Sequence, residues 1–403
     1  MLNRRRLIST TAAAASVVTA FRSSAAGAAI LGHDFQPRGQ IGRLERLPTL
    51  DLQSNEDFLT TFRVLVNGDM VAMARSRADE ILLSNGLDPQ ADATLEDSLA
   101  LLADDPVIGS YFQAWSAAQQ QMWKNIRDQL YANGDQLLAE MEAADKMGPG
   151  SLELNPGIEP DWSKYEIHQQ PGGYVGDPFA GHIYHYGTND FYMNANDQDR
   201  IHRGLARITP KPKDGVVKRI HEVACGCGQM AQGFKEFYPN AEVWASDIGA
   251  PMVRYAHMRS VDLGLGVNFR QALAEESGFP DNHFDIIGSY LQHHECPAES
   301  TRATLREAFR TLRPGGVFFP IDFYTGLLPV SRTAFDKIYY WWHHRWNQEV
   351  WYAEYATIDM ATEMRKVGFE VTEIGSAARS GQEQRSDNVG VRKTPYLLAT
   401  KPV

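Results

Sequence analysis

The amino-acid sequence predicts an α/β protein in which a doubly wound, parallel sheet follows a mostly helical N-terminal region. Three observations lead to this prediction. From Val216 onward, strand-like and helix-like segments alternate, as they do in a parallel sheet with crossover helices. A glycine-rich turn joins the first of these strands to the first helix. Before this region, apolar residues recur at helical spacing.

The composition indicates a folded chain with a substantial core. Its 403 residues are 43% hydrophobic and 22% charged, and they carry a net charge of −11. This length predicts two or three domains. Because an acidic chain repels phosphate backbones, we expect no nucleic-acid partner. Three cysteines do not make a disulfide framework, and no apolar run is long enough to predict a membrane-spanning helix.

The first 32 residues have the features of a targeting segment. An arginine-rich head at residues 4–6 precedes an Ala/Val/Thr-rich stretch from Thr10 to Phe21. The arrangement resembles a twin-arginine export signal, and a mitochondrial presequence has a similar composition. An ordinary N-terminus is the third alternative. We exclude residues 1–32 from the prediction of the fold.

Residues 33–150 are predicted to form a helical N-terminal domain without a chemical motif. After an irregular lead-in that ends near residue 52, apolar residues at helical spacing predict a helix over about Asn55–Ser84. A short helix follows. A long helix is predicted over about Val107–Ala144, with Gly134 as a point of weakness.

Residues 151–212 are predicted to connect this domain to the sheet. Prolines, glycines and aromatic residues, Tyr174 and Tyr184 among them, are concentrated in the first part. Aromatic loops often lie over a ligand. The same residues would also serve to fasten the connector to the next domain, and both interpretations stay open. A polar helix is predicted at the end, over about Ala195–Ile208.

Residues 213–403 are predicted to be the α/β domain. The predicted strands are Val217–Ala224, Ala241–Ser246, Val267–Leu273, Phe284–Tyr290, Val317–Phe323, Phe369–Ile374 and Pro395–Thr400. The predicted helices are Gln229–Phe237, Ala250–Leu263, Ala298–Leu312 and Met360–Val367.

The run from Ile220 to Gly228 carries the most chemical information. It lies where a strand is predicted to end and a helix to begin, a place where small residues let a ligand approach free backbone N–H groups. Alone it is a weak signal, because many such turns need glycine only for their geometry. Asp247 adds an acid where the next strand ends, the position that accepts ribose hydroxyls. The segments Phe279–Asp285 and Leu312–Gly316 complete the ordered set.

In this order and spacing, these segments resemble the class I S-adenosylmethionine-dependent methyltransferases, in particular the small-molecule branch of ubiquinone and menaquinone biosynthesis. The resemblance covers about residues 216–403. It implies a Rossmann-like, seven-stranded sheet, S-adenosylmethionine as cofactor, and methyl transfer to a small molecule. We expect the acceptor atom to be oxygen or nitrogen rather than carbon. Two positions depart from the family's pattern. Ala224 replaces the first glycine of the turn, and Leu273 replaces an Asp, so the adenine would need another acceptor.

The resemblance also implies which residues hold the cofactor. The glycine-rich loop would face its methionine part, and Asp247 would bind the ribose hydroxyls. Glu222 would orient the loop or meet the amino group through water. The adenine would lie against Ile248, with Ala274 and Glu275 at its edge. The implied cofactor-binding residues are Glu222, Ala224, Gly226, Gly228, Asp247, Ile248, Ala274, Glu275 and Tyr290.

Methyl transfer needs a nucleophile that has lost its proton. His293 and His294 follow the fourth strand of the domain and are the candidate general bases, since histidine titrates near neutral pH. The alternative is that this pair has no role as a base. Cys225 and Cys227 follow the neighbouring strand and could converge with the run His293–Cys296, a combination of thiolate and imidazole that suits zinc. Because cysteine in a cofactor loop serves equally as a small residue, we predict no metal site.

Aromatic residues of the connector and of the segment after the fifth strand of the domain are candidate substrate contacts. Tryptophan and tyrosine faces hold aromatic rings, apolar chains or cations. The alternative is that the second segment packs against the N-terminal helices. The candidates are Tyr186, Trp341, Trp342 and Trp346.

A catalytically inactive protein that keeps the fold and binds a ligand or partner is the main alternative function. A nicotinamide oxidoreductase is disfavoured by the segments Phe279–Asp285 and Leu312–Gly316. Because S-adenosylmethionine is made in the cytosol, we expect a cytoplasmic location, with export or mitochondrial import as alternatives. A homodimer is compatible with the sequence.

Overall fold

The computed structural model of the protein describes residues 50–193, 196–322, 333–376 and 395–403. The predicted targeting segment and most of the predicted lead-in lie outside these residues. So do Ala195 and Phe323, at the ends of a predicted helix and a predicted strand. None of the described helices combines the length and apolar character needed to cross a membrane.

The described strands form one mixed sheet. They are β1 (Ser151–Glu153), β2 (Arg219–Val223), β3 (Glu242–Asp247), β4 (Val267–Gln271), β5 (Phe284–Tyr290), β6 (Leu312–Ile321), β7 (Glu370–Ser376) and β8 (Pro395–Thr400). Their order in the sheet is β1-β4-β3-β2-β5-β6-β8-β7. Neighbours from β1 to β6 are parallel, whereas β8 is antiparallel to both β6 and β7.

The prediction of a Rossmann-like sheet is confirmed, and each predicted strand overlaps an observed one. All seven predicted strands are observed as β2–β8, and β1, which belongs to the connector, adds an eighth strand at the edge beside β4. Three residues are too few to show a periodic pattern in the sequence. β6 also begins earlier than predicted, since the turn residues Pro314–Gly316 interrupt the register with β5 without ending the strand.

The helices flank this sheet and precede it. They are α1 (Leu50–Leu65), α2 (Val71–Ser84), α3 (Leu95–Leu102), α4 (Pro106–Ala132), α5 (Gly134–Ala144), α6 (Ala180–Phe191), α7 (Arg200–Ile208), α8 (Gln229–Phe237), α9 (Ala250–Asp262), α10 (Ala298–Thr311), α11 (Ala334–Trp346), α12 (Tyr352–Tyr355) and α13 (Met360–Val367). The helix predicted from Asn55 begins earlier, at Leu50, and a π-helical turn, Val66–Met70, joins α1 to α2.

The central strand β5 is buried along all but its last residue, as expected of a parallel strand covered on both faces. On one face, α7, α8 and α9 pack on the sheet through side chains such as Leu205, Phe234 and Val253. On the other face, α10 and α13 contribute Leu305 and Met364. Full burial of each such side chain is worth about 1.5–3 kcal/mol. The helices therefore cover both faces and leave the carboxyl edge of the sheet for a ligand.

The N-terminal helices share their core with the α/β region. Met122 of α4 packs in one cluster with Tyr255 of α9. Trp342 of α11 contacts Phe112 and Trp115 of α4, with ring centroids 5.0 and 5.2 Å apart. The prediction that the aromatic segment packs against the N-terminal helices is thus confirmed for Trp342.

The long helix α4 is fixed at both ends by local sequence. The Asp105 side chain accepts hydrogen bonds from the backbone N–H groups of Val107 and Ile108, and Pro106 occupies the first turn. Both features favour helix initiation. The helix ends at Ala132, next to the point of weakness predicted at Gly134, where α5 begins.

A buried ion pair joins three helices on one face of the sheet. Arg259 of α9 is fully buried, and its Nη2 lies 2.6 Å from Oδ2 of Asp199, which directly precedes α7. Arg259 Nη1 also donates to Gln232 of α8, at 2.9 Å. Burial opposes the negative charge of Asp199, but the Arg259 guanidinium keeps the pKa of this carboxyl well below its ordinary value.

Arg259→Met is expected to lower the free energy of unfolding by about 3–5 kcal/mol, because it leaves the Asp199 charge buried without its counter-ion. Urea and thermal unfolding followed by circular dichroism measure the loss. The control is Arg306→Met, which removes an arginine from an exposed pair with Glu299 and should change stability by no more than about 1 kcal/mol. Equal stability of the two variants would contradict the argument.

Candidate cofactor site at the carboxyl edge of the sheet

A cavity lies where β2, β3, β4 and β5 end. It contains about 990 Å³ of empty space, part of it open to solvent. Parallel α/β sheets bind ligands at this edge, because the chain leaves the strands there in diverging turns. The predicted cofactor-binding residues that line the cavity are Glu222, Ala224, Gly226, Asp247, Ile248, Ala274, Glu275 and Tyr290.

The turn between β2 and α8 has an unusual backbone. Ala224, Gly226 and Gly228 all have positive φ, at 51°, 55° and 72°. This left-handed backbone region suits glycine and strains alanine. Ala224 therefore adopts the conformation of the turn at a cost in conformational energy. Gly228 is absent from the described cavity lining, but a Cβ there would lie 2.7 Å from Cε1 of Phe269. Packing under the loop, rather than ligand contact, therefore requires this glycine.

Asp247, at the end of β3, connects two turns. Its Oδ2 accepts a hydrogen bond from the backbone N–H of Gly226, and its Oδ1 accepts one from Gly249, each at 2.9 Å. Burial raises the pKa of Asp247 to about 6, although both N–H groups favour the carboxylate. Two lone-pair directions remain for ribose hydroxyls.

Glu222 is more deeply buried than Asp247. Its Oε2 accepts a hydrogen bond of 2.6 Å from the backbone N–H of Ala231, in the first turn of α8. Burial raises the pKa of this carboxyl well above its ordinary value, although that hydrogen bond opposes the shift. The contact supports the prediction that Glu222 orients the loop.

The connector forms the aromatic side of the cavity. Trp162, Tyr174 and Tyr184 line it together with Tyr290 of β5. The Tyr174 hydroxyl donates to Glu295 Oε1 at 3.1 Å, and its ring meets that of Tyr184 edge-on at 5.7 Å. These residues fasten the connector to the sheet and also face the cavity, so contact with a ligand stays a prediction.

The two predicted bases are absent from the described cavity lining. His294 Nδ1 lies 2.6 Å from Asp322 Oδ1, and the backbone N–H of His293 donates to Asp322 Oδ2 at 2.7 Å. Burial lowers the pKa of His293 to about 4. Burial also disfavours a charged His294, but Asp322 and Glu295 raise its pKa to about 9. The next residue, Glu295, faces the cavity.

Glu295 belongs to a cluster that sequence reasoning missed. His168 of the connector lies 127 positions away in the chain, yet its Nε2 is 2.9 Å from Glu295 Oε1. Glu349, in the turn after α11, approaches the other ring nitrogen of His168. No periodicity or spacing links these three segments. The only sequence signal was the unusual composition of the connector.

The predicted substrate residues lie elsewhere. Tyr186 packs in the core of α4, α6 and α9. Trp341 and Trp342 pack in the cluster that α11 forms with the N-terminal helices. Trp346 is 53% exposed. The structure does not bring these side chains to the described cavity lining, because α11 turns its aromatic face toward α4.

The cysteines of the loop also have a plain structural role. Cys225 and Cys227 are buried, and burial raises the pKa of both thiols. In the described ranges, neither thiol joins a cluster with metal-ligand geometry.

Comparison with known proteins agrees with this geometry. Residues 220–316, from β2 to the start of β6, match a family model described as "Methyltransferase domain". The part of the chain from β2 to the start of β6 is therefore similar to methyltransferase domains, and S-adenosylmethionine is the cofactor that this similarity indicates.

Among curated proteins, the chain is 31% identical over 121 residues to the ubiquinone/menaquinone biosynthesis C-methyltransferase UbiE of Pseudomonas savastanoi pv. phaseolicola. That match covers 29% of this chain and 46% of the relative. It is 34% identical over 122 residues to the demethylmenaquinone methyltransferase of Thermus thermophilus, covering 30% and 53%. The chain spans about half the length of these relatives.

A solved structure of phosphoethanolamine N-methyltransferase 2 from Haemonchus contortus, in complex with S-adenosyl-L-methionine, has a TM-score of 0.41. Its sequence identity is 15%, over 62% of each chain.

Two substitutions in the glycine loop test its backbone. Gly228→Ala is expected to destabilise the protein by about 2 kcal/mol or more, because it adds left-handed strain and a clash with the Phe269 ring. Ala224→Gly should change stability by less than about 1 kcal/mol, since relief of strain and the entropy cost of glycine oppose each other. Thermal unfolding compares the two, and a Gly228→Ala variant as stable as wild type would contradict the packing argument.

Asp247→Ala is expected to weaken S-adenosylhomocysteine binding by about 1.5–3 kcal/mol, roughly ten- to hundredfold, through loss of charge-assisted hydrogen bonds. Calorimetric titration at pH 7.5 measures this loss. Asp128→Ala, on the exposed surface of α4, is the control. Undiminished affinity in Asp247→Ala would remove Asp247 from the cofactor site.

The same titration should depend on pH. Above about pH 6 the Asp247 carboxylate is ionised and accepts ribose hydroxyls, so affinity is constant. Below that value, protonation of Asp247 competes with binding, and affinity should fall by up to about tenfold per pH unit. Asp247→Ala should remove this dependence. Dependence that persists in the variant would contradict the assignment of this titration to Asp247.

Proposed function

We propose that the protein transfers a methyl group from S-adenosylmethionine to a small-molecule acceptor, at oxygen or nitrogen. The observation that carries the proposal is one cavity that combines the Asp247 carboxylate and glycine loop with an aromatic side and a separate carboxylate, Glu295. The first two features suit the cofactor, and the last two suit an acceptor. The match to a methyltransferase domain supports the same reaction.

The reaction is an in-line displacement. A lone pair of the acceptor oxygen or nitrogen forms a bond to the methyl carbon while the carbon–sulfur bond breaks. The bonding electrons return to sulfur, so the sulfonium becomes the neutral thioether of S-adenosylhomocysteine. The acceptor loses its proton before or during this step. The protein must align the two molecules and provide a place for that proton.

We assign Glu295 as the group that takes up the proton of the acceptor. The other carboxylates near the loop, Glu222 and Asp247, already accept hydrogen bonds from backbone N–H groups. Glu295 is held in the cavity wall by His168 and Tyr174. His293 and His294 lie behind the cavity wall, where both contact Asp322, so we assign neither of them as the base.

Carbon methylation is the second candidate, because the relative from Pseudomonas savastanoi is named as a C-methyltransferase. The two candidates give different products. After incubation with a methyl-labelled cofactor, mass spectrometry and NMR of the product show whether the label is on carbon or on oxygen or nitrogen. Cofactor binding without turnover on a broad acceptor panel would favour the alternative of an inactive binding protein.

We place this activity in the cytosol, where the cofactor is made. Fractionation of the tagged full-length chain tests the location. Processed protein in the periplasm or in mitochondria would overturn it.

Glu295→Gln is expected to lower kcat by about 10²–10⁴-fold on an accepted hydroxyl or amine substrate, because the amide takes up no proton. S-adenosylhomocysteine affinity should stay within about twofold, since the assigned cofactor contacts remain. Steady-state kinetics and calorimetry measure the two effects. Glu373→Gln makes the same chemical change on an exposed strand and is the control. An unchanged kcat in Glu295→Gln would contradict the assignment.

A further inference from the structure

We propose that His168, His294 and Glu295 bind a zinc ion in the wall of the cavity. Each residue offers one ligand atom, and these atoms all lie within 4.8 Å of one another. Two imidazole nitrogens and one carboxylate oxygen are a ligand set that zinc takes in proteins, with a fourth position left for water or substrate.

The distances are close to those of a formed site. His168 Nε2 lies 2.9 Å from Glu295 Oε1, and His294 Nε2 lies 3.8 Å from the same oxygen. Ligand bonds of about 2.0–2.1 Å in tetrahedral geometry place ligand atoms about 3.3 Å apart. These two separations bracket this value, and the third is bounded by 4.8 Å.

Carboxylates behind the ligands orient both rings. His294 Nδ1 lies 2.6 Å from Asp322 Oδ1, and His168 Nδ1 lies 3.4 Å from Glu349 Oε1. Histidine ligands of metals usually donate their second N–H to such a partner, which fixes the ring and makes the ligating nitrogen more basic. The Asp322 contact orients the His294 ring. The His168 ring lies between Glu349 and Asn347, whose Nδ2 is 3.3 Å from the same Nδ1.

His168 is held in place by its backbone as well. Its carbonyl oxygen accepts hydrogen bonds from Gln119 Nε2 at 2.9 Å and Trp123 Nε1 at 2.8 Å, both on α4. Its N–H donates to the carbonyl of Asn347 at 2.9 Å. The residue has a φ of 57°, a left-handed conformation that surrounding structure must impose and that is often found at functional sites.

The charge of the cluster also favours a cation. Asp322 and Glu349 have side chains only 3% and 11% exposed, and Glu295 adds a third carboxylate. Buried charges are normally paired or bound to metals, and one divalent ion supplies two of the missing charges.

An ion at this site would reach the cavity, because Glu295 and Ile167, the neighbour of His168, line it. Its open position would accept an oxygen of a bound molecule, such as a hydroxyl or carboxylate. This last step rests on the proposed function, since it identifies that molecule with the methyl acceptor. Zinc would bind Glu295 through Oε1, the oxygen that both histidine rings approach, and Oε2 would take up the proton of the acceptor. Zinc binding itself does not depend on methyl transfer.

The first experiment measures zinc in the untagged full-length protein. After treatment with EDTA and dialysis against zinc chloride, elemental analysis should find about one ion per chain. Zinc should also raise the Tm of the EDTA-treated protein. Co²⁺ in place of zinc should give visible absorption bands typical of a low-coordination site. Protein that takes up no zinc would overturn the proposal.

Variants locate the ion. Glu295→Gln keeps the shape of the side chain and should weaken zinc binding by at least about hundredfold, and His168→Ala should do the same. Asp322→Asn acts through His294 and should weaken binding by about 10–100-fold. His344→Ala removes an exposed histidine from α11 and should have no effect. Unchanged affinity in folded Glu295→Gln would overturn the proposal.

The outcomes separate this proposal from the proposed function. Zinc bound by the wild type but not by Glu295→Gln supports the site even if S-adenosylhomocysteine does not bind. Full turnover and cofactor binding in a protein that takes up no zinc would overturn the site and leave the methyltransferase function intact.

Discussion

The Asp247 carboxylate is the interaction on which the cofactor cavity depends. It lies at the end of β3 and accepts hydrogen bonds from backbone N–H groups of two different turns. One turn follows β2 and the other follows β3 itself. Parallel strands end side by side, but their turns diverge, and something must fix the turns relative to each other. A buried acceptor with four lone-pair sites does this and still has capacity for a ligand. The cavity floor is thus organised before any cofactor arrives.

Environment separates the roles of three carboxylates along this one edge. Glu222 is enclosed and bonded to the start of α8, so its contribution is to the loop. Asp247 is buried but faces the cavity, and its raised pKa keeps its charge sensitive to pH. Glu295 meets a histidine and a tyrosine hydroxyl. The same chemical group therefore has three different environments, and these suit it to shape a turn, to bind a ribose and to contact an acceptor, as we propose.

The α/β region was predictable from sequence because its signals are local. Gln229–Phe237 and Phe284–Tyr290 match their predicted bounds, since apolar periodicity and flanking glycines act within a few residues. The loop at Gly226 and the acid at Asp247 follow from the same short-range pattern. His168 was not predictable, because its meeting with Glu295 depends on how α4 holds the connector. Trp342 shows a similar limit, since an aromatic stripe does not reveal whether it faces a ligand or a helix.

The shared core has a consequence for how this protein can be divided. Tyr255 and Met258 on α9 and Trp342 on α11 belong to the methyltransferase half by sequence, yet each is covered by helices from the first half. Cutting the chain near residue 213 would strip that cover and expose broad apolar surfaces. The helices and the sheet therefore form one folding unit. A chimera with a relative would have to exchange both halves together.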